Sequence, residues 1–105
     1  MAKFTKKMQA NTLRLIALEK VQLESFKVDG ELQADASLLH VARHIDAVAF
    51  FKSISSKQTN TVKMLSDKQV LLTDVSVSPD GKQTRTTEIV LNLLGMGSYE
   101  FLNAL

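Results

Sequence analysis

Between Phe4 and Leu18 apolar side chains recur near helical spacing: Phe4, Met8, Leu15 and Ile16 share one face, which Leu13 and Leu18 widen. The polar side is lysine-rich and holds neither glycine nor proline, so the pattern predicts a helix from about Lys3 to Lys20. The period then changes. Val21, Leu23, Phe26 and Val28 alternate with polar residues, slip by one at Ser25 as a β-bulge would, and end at the turn pair Asp29-Gly30. Alternation resumes over Glu31–Ala36, which predicts a returning strand. A competing reading runs the first helix on to Val28, because Leu13, Ile16, Lys20 and Leu23 also keep helical spacing. The two alternating runs about a turn pair favour the hairpin.

The clearest helical stripe is Leu38, Val41, Ala42, Ile45, Val48 and Ala49, extended by Phe51, within a predicted helix Leu38–Ile54 capped by Ser37 or Asp35. Phe50 and Ile54 lie beside the stripe, so its second half is apolar over a wide arc and belongs deep in the core or under another subunit. Residues 52–69 are rich in Ser, Thr, Asn and Gln and predict a long surface loop or a weak extra strand. Val70–Val77 and Gln83–Leu94 read as strands joined by the turn Ser78-Pro79-Asp80-Gly81. Val70–Leu72 and Ile89–Leu94 are apolar on consecutive positions, which predicts a sheet covered on both faces there. Gly95-Met96-Gly97 breaks the last strand, and Ser98 can cap a short terminal helix, Tyr99–Leu105.

The expected fold is one α+β domain over residues 1–105, in the order α-β-β-α-β-β-α. An antiparallel sheet of about four strands is packed by the long central helix, with the N-terminal helix and a short C-terminal helical tail beside it. In element order alone the chain resembles the ferredoxin-like soluble domains of pilus and secretion assembly proteins, which normally carry a membrane helix that this sequence lacks.

Composition narrows the function classes. A chain of 105 residues with 45% hydrophobic and 23% charged residues buries a real core, and is neither disordered nor fibrous. With no cysteine there is no disulfide, no cysteine zinc site and no thiol nucleophile. The longest apolar-leaning stretches, Leu13–Leu18 and Ile89–Leu94, fall far short of the roughly 20 residues of a membrane span. No apolar core or cleavage site follows the basic Met1–Met8 stretch, so neither a signal peptide nor an anchor is expected, and cytoplasm or a virion is favoured over secretion.

The net charge of +2 is unevenly placed. Lys3, Lys6, Lys7, Arg14 and Lys20 stand against Glu19 alone in the first 20 residues, and Lys52, Lys57, Lys63 and Lys68 against Asp67 in 52–69. Such islands keep a small protein in solution, or meet phosphate or an acidic partner. Lys3, Lys6, Lys7 and Arg14 are the candidate nucleic-acid contacts.

Catalytic chemistry finds little purchase. His40 and His44 stand at i, i+4, but Val41 replaces the glutamate of a zinc helix and Arg43 sits between them, so no metal is expected. No Gly-x-Ser-x-Gly or phosphate loop occurs; Asp29 with Glu31 flanks a turn, and Asp74 with Asp80 brackets a hairpin. No cofactor and no enzymatic activity are expected. What the pattern favours is a structural or assembly protein, of virion or secretion type, that meets other proteins or copies of itself through Phe50, Ile54, Tyr99, Phe101, Leu102 and Leu105.

Overall fold

The computed structural model describes residues 2–48 and 57–103. Within them the chain runs β1 (Ala2–Lys3), α1 (Lys6–Ala17), β2 (Val21–Val28), β3 (Glu31–Leu32), α2 (Leu38–Val48), β4 (Lys57–Ser66), β5 (Gln69–Val77), β6 (Thr84–Leu93) and α3 (Ser98–Asn103). The strands form one sheet in the order β1-β4-β5-β6-β2-β3, with every neighbouring pair antiparallel. The α+β class and antiparallel sheet are as the sequence predicts. No helix among the described residues is long and apolar enough to cross a membrane.

Local chemistry sets the boundaries. Thr5 caps α1 by accepting a hydrogen bond from the Met8 amide at 3.2 Å, so the helix begins at Lys6 and leaves Ala2–Lys3 free to pair with β4. At the other end Glu19 takes a left-handed backbone (φ 57°), and Lys20 N–H donates to the Leu15 carbonyl at 2.8 Å. The helix predicted over Lys3–Lys20 is therefore shorter at both ends. The bulge falls between Leu23 and Ser25, where the alternation slips. Asp29 and Gly30 both have positive φ (52° and 84°), as a tight two-residue hairpin turn requires. The Asp29 carboxylate also accepts from Thr86 N–H at 2.8 Å, fastening this turn to β6.

The sheet decides one open expectation and corrects another. Of the two readings of 52–69 the extra strand holds over residues 57–66, ten residues long, returning through Asp67-Lys68 to pair with β5 along most of its length. Its sheet-inward positions include Asn60 as well as the buried Val62, which dilutes the period-two signal. The returning strand predicted over Glu31–Ala36 keeps only Glu31–Leu32, because Ala34-Asp35 turns toward α2. Four long strands thus carry the sheet, with two-residue strands at its edges.

All three helices contribute to a single core on one side of the sheet. Met8 and Leu15 from α1, Val41 and Ile45 from α2 and Phe101 from α3 pack with Val21, Phe26, Val62, Val70, Leu72, Ile89, Leu91 and Leu93. Leu71, Val75 and Val90 alternate to the opposite face, are half-buried, and do not belong to this cluster. The predicted double covering is therefore not found among the described residues; the consecutive apolar positions reflect one packed face and one aliphatic-and-threonine face.

Candidate functional site

The inward rows of the sheet change character along the strands. Val62, Leu72, Ile89 and Phe26 lie side by side in one apolar row. One step on, Asn60, Asp74 and Thr87 are direct cross-strand neighbours. Above them α2 brings His44, whose Nε2 lies 3.8 Å from Asp74 Oδ2 and whose ring meets Phe26 edge-on, centroids 5.7 Å apart. Burial holds the His44 pKa below its ordinary value; the Asp74 charge pulls it back up and Arg85 pushes it further down. At 3.8 Å the pair has no direct hydrogen bond. His44 Nε2, Asn60 Oδ1 and the hydroxyl of Thr87, which is 1% exposed, have no hydrogen-bond partner within the described protein.

Beside this row a cavity of about 20 Å³ is lined by Phe4, Ile45, Leu72 and Ile89 on its apolar side and by His44, Asn60 and Asp74 on its polar side. A volume of that size suits a water molecule and is far below the several hundred Å³ of a substrate pocket. A histidine, a carboxylate and a hydroxyl converge here without room for a reactant. Among the described residues no three metal-ligating side chains cluster either.

The two histidines, at i, i+4 on α2, have different surroundings. His40 is exposed, and its Nδ1 accepts from the backbone N–H of Ser37, the α2 cap. His44 turns inward. Asp74 lies mid-strand, within the predicted Val70–Val77, and opposite His44, a pairing the sequence reading did not foresee. The missed signal is parity: Val70, Leu72 and Asp74 alternate on one face of β5.

The predicted partner contacts separate. Phe101 is 1% exposed and packs in the chain's own core, which leaves it no surface for another molecule. Leu102 is half-buried against the same cluster. Ser98, itself buried, anchors α3: its N–H donates to the Asp67 carbonyl at 2.7 Å and its hydroxyl meets the carbonyls of Ser66 and Gln69. Tyr99 alone of these three apolar tail residues points to solvent, at 74% exposure. Phe50, Ile54 and Leu105 lie outside the described residues. Lys3, Lys6, Lys7 and Arg14 are all exposed, and the first turn of α1 holds no acidic residue to offset Lys6 and Lys7.

Four exposed apolar residues join Tyr99; Leu18, read as part of the helix's apolar face, and Leu94, read as part of a covered strand, are among them. Leu18, Met64, Leu65 and Leu94 are each more than two-fifths exposed. They belong to segments tied together at one end of the sheet: Leu94 N–H donates to the Lys20 carbonyl, Leu93 N–H to that of Lys68, and Ser98 N–H to that of Asp67. Gly95 permits the closeness, since a Cβ there would stand 3.1 Å from the Lys20 side chain. No family model matches this chain, and no match was found among the curated proteins or the solved structures.

Proposed function

We propose that the chain is a non-enzymatic structural or assembly protein, a subunit of a larger complex that works through protein–protein contacts. The observation that carries this reading is the apolar end formed by Leu18, Met64, Leu65, Leu94 and Tyr99, five large side chains exposed on segments bonded to one another. Scattered apolar residues need no explanation, whereas a set gathered at one end supports a contact site.

Sedimentation over a wide concentration range tests the reading. Species larger than a dimer are expected, and Leu65→Glu is expected to remove them with the melting temperature unchanged. Identical sedimentation of the variant and the parent chain would sink the apolar end as a contact.

A second reading rests on Lys3, Lys6 and Lys7, exposed around the start of α1, where positive charge opposes the helix dipole. A phosphate backbone would relieve that repulsion. Binding to DNA or RNA must then fall steeply with salt and vanish in the triple Lys→Glu variant. No binding at about 50 mM salt removes this alternative.

A further inference from the structure

We infer that the bare face of the sheet is the contact between two copies of this chain, packed face to face about a two-fold axis parallel to the strands; the inference rests on the assembly reading above and names the partner for this face. Four strands about 4.8 Å apart and nine residues long, at about 3.4 Å per residue, make a face of about 600 Å² in projection. That is on the scale of the roughly 800 Å² each partner brings to a standard interface. No described element packs on it.

Stacked sheets keep their strands within about 30° of each other. An axis along the strands between β5 and β6 lays β5 of one copy on β6 of the other, and β4 on β2. The strand register then decides which side chains meet. Lys63, Leu71, Val90 and Ser25 form one row across the four strands. Under the two-fold, Leu71 lies over Val90 of the second copy, and the reverse contact repeats it. Lys63 lies over Ser25 of the second copy, beside Glu24, whose carboxylate is held toward this face by the Asn92 amide at 2.8 Å. The centre of the contact is thus aliphatic and the rim pairs opposite charges twice.

Among the described side chains of this face Lys3, Lys27 and Lys63 stand against Glu24 and Glu88, which leaves a single positive charge at the β1 edge. A charge that small repels a second copy little and gives a phosphate backbone little to hold.

Light scattering on the purified full chain tests this. With Leu65→Glu in place to remove species above the dimer, a mass of twice 11.6 kDa is expected. Leu71→Lys places an ammonium at the centre without touching the core, and should raise the dimer dissociation constant by about 30-fold or more. Lys63→Glu and Glu24→Lys should each weaken the dimer, and combining them should restore it. A monomer at every concentration overturns the inference, and so does a dimer that Leu71→Lys leaves intact. A monomeric parent chain that Leu71→Lys unfolds also overturns it, because the face is then covered by the chain's own residues. Failure here leaves the apolar end untouched, since Leu65→Glu is read on species above the dimer.

Discussion

Replacing Phe101 by alanine tests whether the C-terminal tail belongs to the chain's own core. The side chain is 1% exposed and packs in the cluster that α1, α2 and the sheet share. Truncating a fully buried phenylalanine costs about 3–5 kcal/mol. A domain of this length holds about 5–15 kcal/mol in all, so the loss is a large fraction of the total. Two facts place the expected value toward the lower end. Helix α3 is six residues long and cannot persist unpacked, so the tail can detach rather than hold a cavity open. The polar anchors at Ser98 remain on the Asp67 side of the break. A loss of about 3 kcal/mol lowers the melting temperature by about 12–20 °C for a domain of this size. Thermal unfolding followed by circular dichroism reads it, with Tyr99→Ala as the control, expected within about 0.5 kcal/mol of the parent because Tyr99 is largely exposed. A drop of only a few degrees, or an altered mass with unaltered stability, would refute the assignment and place the tail on a neighbouring chain.

The pH dependence of stability should carry the mark of His44. Its folded pKa lies below the ordinary 6.5, so the unfolded chain binds more protons as the pH falls through that value, and stability is lost on acidification below about 6.5. His44→Gln should flatten that slope in urea titrations at pH 7 and pH 5, and an unchanged slope would clear His44 of the role. Thr87→Val exchanges a buried hydroxyl that no described protein group meets for a methyl of similar shape, and should gain about 1 kcal/mol in chemical unfolding. A loss of that size instead would show that the hydroxyl has a partner. Gly30→Ala forces a Cβ onto a backbone at φ 84° and should cost about 1 kcal/mol or more, although the space around it is open. No change in denaturation midpoint would mean that the turn relaxes to another type.

Legibility in the sequence followed the strength of the local signal. β2 runs over the predicted Val21–Val28, bulge included, because alternation and turn pair agree there. β4 was ambiguous because Thr59, Asn60 and Thr61 are polar on both parities, so only pairing with β5 reveals a strand. Leu71 and Val90 were assigned to a covered face because residue type records apolarity and not which layer supplies the cover. The His44–Asp74 pair joins residues thirty apart, and no local pattern carries such a contact. The apolar end arises from three separate segments, so it exists only once the backbone bonds at Lys20, Lys68 and Asp67 have formed.

The position of β2 in the sheet bears on how the chain comes to be folded. The β4-β5-β6 meander joins neighbours in sequence through short turns, and can form early at little loop-closure cost. β2 instead pairs with β6, setting Val21 against Leu93 near opposite ends of the chain. During synthesis the first helix and hairpin emerge with their apolar faces unmatched and wait for almost the whole chain before β6 can receive them. High contact order of this kind slows folding, and makes the last docking step, rather than the meander, the stage most exposed to misassembly.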